Sequence, residues 1–250
     1  MTATATAADA ARTNVLRDGG FRRLFVGSAM SLIGSRVTVV ALPLVAITLL
    51  NASAVEVGAL TAAGTVAFLL IGLPAGAWID RMRKQRVLVA ADLGRAAVIL
   101  SIPVAGWLGV LTVGQLYVVA FLHGMLTVFF DVAYQSYVPY LVGRDRLVAG
   151  NARLQTVESG ATVIAPAIAG FVIQTVGSAS AMLADTLSFL WSAFAIRSIR
   201  DPEPPRPRAT RRLRQEVVEG LRFVFADRSL RAIAACTGRT TCSIARRPRC

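Results

Sequence analysis

Long apolar runs separated by short polar breaks make up most of this 250-residue chain. A hydrocarbon core about 30 Å thick needs roughly 20 apolar residues of helix to cross it. Six runs approach or exceed that length: residues 25–50, 55–79, 87–110, 115–142, 156–176 and 179–196. They are apolar on every side, whereas the strands of a membrane barrel are short and alternate apolar with polar residues. The pattern predicts an all-α membrane protein with a bundle of six transmembrane helices over residues 21–197.

The breaks between the runs are of two kinds, which alternate along the chain. Residues 51–54, the turn at 109–114 and residues 177–178 contain neither lysine nor arginine. The other breaks are basic: they hold Arg12, Arg17, Arg22 and Arg23, then Arg81 to Arg86, Arg144 with Arg146, and Arg197 onward. Because positively charged loops stay in the cytoplasm, the alternation predicts a multi-pass protein of the cell inner (plasma) membrane. Both termini, including a tail over residues 1–20, are expected in the cytoplasm.

Composition agrees with the bilayer as solvent and changes the meaning of the charge. Hydrophobic residues make up 55% of the chain, charged residues make up 16%, and the mean hydropathy is +0.59. A soluble domain of this length is less apolar. A formal charge of +13 would suggest nucleic-acid binding in a soluble protein. Here the basic membrane flanks account for most of it, so no nucleic-acid partner is expected.

The chain lacks the short motifs that hold cofactors. It has no GxxxxGK[ST] loop, so nothing indicates ATP hydrolysis by the chain itself. Cys236, Cys242 and Cys250 are not spaced like a zinc site, and the single histidine, His123, is far away in sequence. We therefore expect no enzyme activity, no cofactor and no metal.

A glycine-to-basic motif follows the second apolar run. Gly76 is followed after three residues by Asp80 and Arg81, and then by Arg83 and Lys84. This stretch resembles the motif between the second and third helices of the major facilitator superfamily. Arg83 stands where glycine is usual, which is similar to the branch that contains the enterobactin exporter and related efflux permeases. The resemblance covers about residues 20 to 235 and implies the N-terminal six-helix half of such a transporter.

The fifth run carries a second element of the same resemblance. Gly160, Pro166 and Gly170 are similar to the Gly-Pro-x-x-Gly-Gly element of antiporters in this superfamily, with Ala165 and Ala169 in place of two glycines. The resemblance implies a secondary active transporter: proton-coupled efflux of drugs, siderophores or other small molecules. A proline removes one helical hydrogen bond, which suits a helix that bends or seals a pathway. Ordinary packing of small residues is the competing interpretation.

Simple physical chemistry gives the glycine-to-basic motif a gating role. Gly72 and Gly76 lie on one face of a helix and allow a neighbouring helix to approach closely. Asp80 follows at the membrane boundary, where a carboxylate can bind backbone amides at a helix N-terminus or pair with an arginine. Forming and breaking that contact would latch a cytoplasmic gate. Alternatively, Asp80 only offsets a basic loop that sets the topology.

Ionisable residues inside the runs are candidates for a proton or substrate pathway, because such groups are costly in hydrocarbon unless they are paired or face a cavity. They are Arg36, Asp92, Arg95, Asp131, Glu158 and Asp185. Asp92 and Arg95 are three residues apart and can neutralise each other as a static pair. Asp131 and Glu158 are the better candidates for carrying a coupling proton or contacting substrate.

The residues after the sixth run predict a cytoplasmic connector over 198–235. A proline- and arginine-rich exit precedes a stretch with Leu213, Val217 and Leu221 on one side, typical of an amphipathic surface helix. Residues 229–236 are similar to the start of a seventh span. Residues 236–250 form a short basic tail that is too polar to cross a bilayer.

Two interpretations of this ending remain open. A six-helix protein would pair with a second copy or with another six-helix half, so that two bundles form one transporter. An interrupted gene, which the aberrant tail favours, would leave a truncated transporter half, or else a non-transporting membrane remnant or interaction subunit. The expected partners are the lipid bilayer, a small-molecule substrate with protons, and possible second bundles of either kind.

Overall fold

A computed structural model of the chain describes residues 19–142 and 147–200, which are helical apart from short turns. The helices are α1 (Gly19–Leu50), α2 (Ala54–Ile79), α3 (Lys84–Trp107), α4 (Val113–Val142), α5 (Leu147–Val176) and α6 (Ser178–Arg197). The predicted all-α fold is confirmed. The basic tail, all of the predicted connector after residue 200, the N-terminal arginines Arg12 and Arg17, and the pair Arg144 and Arg146 lie outside the described residues.

Two helices begin well before the apolar runs that predicted them. The first starts at Gly19 instead of residue 25, and the fifth starts at Leu147 instead of residue 156. The apolar pattern marks only the part of a helix that suits hydrocarbon, whereas backbone hydrogen bonding continues through the polar residues next to it. Hydropathy therefore predicted the positions of the helices correctly but underestimated the lengths of these two.

Four helical segments are long and apolar enough to cross a membrane: Gly19–Leu50, Ala54–Gly72, Lys84–Trp107 and Val113–Leu141. A fifth qualifies if the segments Gln155–Ile164 and Pro166–Thr175, which meet at 44°, form one bent span. Pro166 lies at this bend, as expected for a residue that lacks the backbone N–H and clashes with the preceding turn. Membrane crossing by α6 stays a prediction.

The breaks without lysine or arginine contain left-handed backbone. Positive φ occurs at Asn51 (51°), Gly109 (68°) and Gly177 (84°), one residue in each such break. Glycine and asparagine tolerate this region better than other residues. Ser53 then caps α2: its Oγ accepts a hydrogen bond from the Glu56 N–H, and the Glu56 carboxylate accepts one from the Ser53 N–H. These breaks therefore stop one helix and start the next within a few residues.

The helices are not equivalent in position. α6 packs against α1 and α3, while α4 packs against α2 and α3. α5 packs mainly on α1. As a result, α1 and α4 line a cleft, and α2 and α5 stand on either side of it. α3 and α6 pack together on the side away from the cleft.

Two apolar clusters stabilise the bundle, with polar residues between them. One cluster lies at the end that carries Asp80, called the basic end here, and the other lies at the opposite end. The first includes Phe21, Leu24, Ile79, Leu88, Tyr137 and Ile196, and the second includes Val45, Leu60, Ile99, Ile102, Leu116 and Met182. Six of the buried polar residues are called the inner polar layer: Ser31, Thr38, Asp92, Arg95, Asp185 and Ser188.

Close helix crossings occur at glycines other than those predicted. A Cβ on Gly124 of α4 would lie 2.9 Å from the carbonyl oxygen of Gly64 on α2. A Cβ on Gly34 of α1 would overlap side-chain oxygens of Asp185 and Ser188 on α6. At Gly72 and Gly76, no atom of the described residues lies within 4 Å of the Cβ position, so no described helix makes the close approach predicted there, and that approach stays a prediction. Sequence spacing identifies glycines on one face but not which face meets a neighbour.

Candidate functional site

A cavity of about 890 Å³ lies between α1, α2, α4 and α5. Its aromatic lining comes from Phe25, Phe68, Phe130 and Tyr134. Its charged lining comes from Arg36, Arg95, Asp131 and Glu158. The volume lies within the range of small-molecule sites, which combine apolar walls with a few polar groups. Four of the six predicted pathway residues therefore line one cavity, and Asp92 and Asp185 do not.

Arg36 and Glu158 face each other across the cavity, from α1 and α5. The Arg36 Nη2 and a Glu158 carboxylate oxygen are 3.9 Å apart, and the two side chains are 38% and 52% exposed. At this distance and exposure the pair is weak. Both groups therefore remain available to other partners in the cavity.

Asp131 lies on α4 with its side chain exposed to the cavity. Within the described residues its carboxylate has no hydrogen bond or ion pair, whereas Arg36, Arg95 and Glu158 each have a charged partner. An unpaired carboxylate on a membrane helix is expected to face water or a functional partner.

Arg95 is held from several sides where the inner polar layer meets the cavity. Its guanidinium forms an ion pair and hydrogen bond with Asp92, and its Nη2 lies 3.4 Å from the Ser31 Oγ. The guanidinium carbon also lies over the Phe130 and Phe189 rings, at 4.2 and 4.6 Å from their centroids. Asp92 and Arg95 are 0% and 2% exposed, so their charges are neutralised inside the bundle.

Asp185 lies behind the cavity on α6, with hydroxyl groups as its hydrogen-bond donors. Thr38 on α1 donates to one carboxylate oxygen, and the Ser188 Oγ lies 3.1 Å from the other. Thr38 itself lines the cavity, so a single side chain separates Asp185 from it. Gly34 makes this arrangement possible, because any larger residue would occupy the position of the two side chains.

Several cavity residues were not found from the sequence. A polar stripe on α1, made of Ser28, Ser31, Ser35 and Thr38, lines the cavity. The spacing of three, four and three residues is the helical period, so hydroxyl residues at that period in an apolar run were an available signal. His123, which the sequence places in no site, also lines the cavity, and its ring lies 5.9 Å from that of Phe189.

The glycine-to-basic motif, whose proposed gating role stays a prediction, forms the turn between α2 and α3. Asp80 is the C-terminal cap of α2, and its backbone N–H donates to the Gly76 carbonyl over 3.0 Å. The Asp80 side chain is exposed and makes no hydrogen bond or ion pair to another described residue. Arg83 is the N-cap of α3 and makes no side-chain capping bond. Asp80 is therefore presented outward from the basic end of the bundle.

The turn lies beside hydrogen bonds that connect the start of α3 to the end of α6. The Gln85 side-chain amide donates to the carbonyls of Ile196 and Ile199, at 2.9 and 2.8 Å. The Arg23 guanidinium donates to the Ser198 carbonyl. These donors satisfy carbonyls at the end of α6 that have no partner within the helix, and so hold the basic end together.

The antiporter-like element lies on an open surface of α5. Beside Gly160 and Gly170 no other described residue comes within 4 Å of the Cβ position. Nearby Val163 and Phe171 are 77% and 69% exposed. This surface, like the cavity, is not covered by the described helices.

The comparison with protein families decides the affiliation of the chain. Residues 11–239 match the model of the family described as transmembrane secretion effector, a family of the major facilitator superfamily. The chain belongs to this family. It is therefore a multi-pass membrane protein of a transporter family, which confirms the resemblance read from residues 76–84 and 160–170 at the level of the superfamily.

Curated relatives of the chain are drug efflux pumps. It is 30% identical over 210 residues to the multidrug efflux pump Tap of Mycolicibacterium fortuitum, covering 80% of this chain and 51% of that protein. It is 28% identical over 234 residues to Tap of Mycobacterium tuberculosis (strain ATCC 25618 / H37Rv), covering 88% and 54%. It is 24% identical over 184 residues to macrolide efflux protein A of Streptococcus pyogenes, covering 73% and 45%.

The chain thus spans about half the length of the curated relatives it matches. No solved structure gives a significant match. The relatives support an efflux family, whereas the similarity to the enterobactin exporter branch stays a prediction.

Proposed function

We propose that the chain forms the N-terminal six-helix half of a secondary transporter that exports drug-like small molecules. The single observation that carries the proposal is the cavity of about 890 Å³, which the charged residues Arg36, Asp131 and Glu158 line from α1, α4 and α5. Relatives named as efflux pumps support the substrate class.

The exposed charges that line the cavity need to be shielded from lipid. Arg36, Asp131 and Glu158 would each be costly against lipid, by several kcal/mol if unpaired. Transporters of this architecture place the substrate between two helix bundles near the middle of the bilayer, and access alternates as the bundles rock. We infer that a second six-helix bundle covers the cavity and the open surface of α5, whether it belongs to a longer polypeptide or to a separate one.

Proton coupling is the energy source that fits the residues best. The sequence has no nucleotide-binding loop of the Walker type, and Asp131 and Glu158 are acidic groups with access to the cavity. A carboxylate that binds a proton in one state and a substrate in the other would exchange the two across the membrane. Asp80 at the basic end would latch the cytoplasmic gate by contacting the second bundle.

Efflux measurements test this proposal. An efflux-deficient host would express the chain alone, or with the second half of the M. fortuitum pump as a separate polypeptide, and ethidium retention would be followed. We expect export only from the pair, and loss of export after addition of a protonophore. Separately expressed halves of the M. fortuitum pump itself serve as the positive control.

Two outcomes contradict the proposal. If the control halves export ethidium and the mixed pair does not, the chain is not a working half, and a non-transporting remnant or interaction subunit is favoured. If export survives the protonophore, the assignment of proton coupling is wrong.

Orientation and gating have their own tests. Single cysteines at Ala52 and Arg83 should be labelled from opposite sides of the membrane by an impermeant maleimide, with residue 83 reached only from the cytoplasm. Labelling of residue 83 from outside would contradict the topology. The Asp80→Asn variant should insert normally and slow export by the mixed pair, and unchanged export would remove the gating role.

A further inference from the structure

The charges that line the cavity do not balance. Among the described cavity residues, Arg36 is opposite Glu158 at 3.9 Å, and Arg95 is paired with Asp92 behind the lining. Asp131 has no such partner. The described lining and its paired groups therefore carry one uncompensated negative charge, at Asp131.

Aromatic rings line the same cavity as this carboxylate. Phe130 precedes it, and the Tyr134 ring, one helical turn further along α4, stacks with Phe130 at 5.9 Å between centroids. Phe25 on α1 and Phe68 on α2 complete an apolar lining of the same cavity. Rings of this kind accept both apolar groups and the positive charge of an organic cation.

Other ligand classes fit less well. The described residues contain no group of three His, Cys, Asp or Glu side chains suited to a metal ion. Anions would need a free cation, but Arg95 is occupied by Asp92 and sandwiched by Phe130 and Phe189. Arg36 is only weakly paired, but the Glu158 carboxylate 3.9 Å away would repel an anion bound there.

We propose that Asp131 binds the positive charge of an amphipathic organic monocation whose apolar body lies against Phe25, Phe68 and Tyr134. This inference rests on the transport function proposed above and specifies its substrate class. Arg36 acts as a specificity residue in the same cavity: it repels the ligand charge and lowers affinity for dications. The ligand would supply the partner that Asp131 lacks within the described helices.

Binding of ions of equal shape and opposite charge tests the proposal. The purified full chain in detergent would be titrated with tetraphenylphosphonium and with tetraphenylborate by equilibrium dialysis, against protein-free micelles. We expect the cation to bind more tightly than the anion. Asp131→Asn should weaken cation binding about tenfold or more, as expected for the loss of one close charge pair in a partly solvated site.

Matched variants make the assignment specific to the site. Arg36→Gln should tighten cation binding several-fold, because it removes a positive charge from the lining. Asp131→Glu, which retains the charge, should bind within about threefold of the parent, well inside the effect of removing a charge. Glu56→Gln removes a negative charge outside the cavity, keeps a residue that can form the capping box with Ser53, and should bind as the parent does.

The outcomes separate the two proposals. If the parent binds both probe ions equally, or if Asp131→Asn binds the cation as tightly as the parent, the charge assignment is overturned and the cavity remains a drug site. If the parent also fails to bind the uncharged probe N-phenyl-1-naphthylamine and both ions, the proposed function fails with it. Reduced cation binding in Asp131→Asn and equally in Glu56→Gln would indicate a general charge effect and would also overturn the assignment.

Discussion

The inner polar layer and the cavity contain the same kinds of charged residue in opposite circumstances. Asp92 and Arg95 in the layer are almost fully buried and bind each other. Arg36 and Glu158 in the cavity are partly exposed and 3.9 Å apart, and Asp131 is unpaired among the described residues. Removing one member of a buried ion pair is costly because water cannot solvate the charge that remains. Exposed charges are solvated and can exchange partners. We therefore propose that the buried Asp92–Arg95 pair serves stability and that the exposed charges of the cavity contact ligand and protons.

The two apolar clusters explain why the charges of the layer depend on partners within the protein. They lie at opposite ends of the bundle and close the layer off along α1, α3 and α6. Water is excluded from Asp92 and Asp185, so their hydrogen-bond partners have to come from the protein. The cavity lacks such closure on its open side, which leaves its charges accessible.

The largest loss of stability is expected when Arg95, the cation of the inner polar layer, is removed. Arg95→Gln would leave Asp92 buried without a charged partner and should lower the free energy of unfolding by about 3–5 kcal/mol. Unfolding by SDS titration of detergent-solubilised protein would measure the loss. The double variant Asp92→Asn with Arg95→Gln should recover most of it, and a single variant as stable as the parent would contradict the assignment of the pair to stability.

A smaller loss is expected where α1 crosses α6. Gly34→Val would place methyl groups where the side chains of Asp185 and Ser188 lie, so overpacking should cost about 3 kcal/mol. The same SDS titration applies. Gly58→Val on α2 is the matched control, because the described structure is open at that Cβ position, and equal losses at both glycines would mean that the crossing is not tight.

Loss of a hydroxyl donor to Asp185 should have a still smaller effect. Thr38→Val keeps the shape of the side chain and removes one of two hydroxyl donors, at an expected cost of about 1–2 kcal/mol. Thr38→Ser retains the hydroxyl and should recover most of that stability. A cost equal to that of Arg95→Gln would show that Asp185 depends on Thr38 as strongly as Asp92 depends on Arg95.

The smallest change in stability is expected on the cavity side. Glu158→Gln breaks a long, half-exposed ion pair and should change the free energy of unfolding by less than about 1 kcal/mol. Export by the mixed pair should nevertheless fall, since the variant removes a titratable group from the cavity. A large loss of stability would show that the Arg36–Glu158 pair stabilises the fold as the Asp92–Arg95 pair does, and would contradict the difference between the cavity and the inner polar layer.

The sequence was most informative where local periodicity decides the structure. Apolar runs predicted each helix, and the charge-free breaks proved to contain Asn51, Gly109 and Gly177 in left-handed backbone. The runs missed the polar starts of α1 and α5, because hydropathy reports suitability for hydrocarbon and not the extent of backbone hydrogen bonding. For the candidate site, charged residues inside apolar runs were found by type alone.

The glycines mark the limit of this reasoning. Spacing drew attention to Gly72 and Gly76, yet the described structure is open at both, while Gly34 and Gly124 make the tight crossings. A helical repeat tells which residues share a face. It does not tell which face meets another helix, because that depends on crossing angle and depth.

By itself the sequence determined that the chain folds as helices in a bilayer and that a few of its membrane residues are ionisable. Both properties follow from residue type and from a repeat of 3.6 residues, which are local. Only the tertiary structure decided that Arg95 is neutralised by Asp92 inside the bundle while Asp131 faces the cavity without a partner among the described helices. The physical reason is that pairing and burial depend on which helices become neighbours and at what register, and those contacts join residues far apart in the chain.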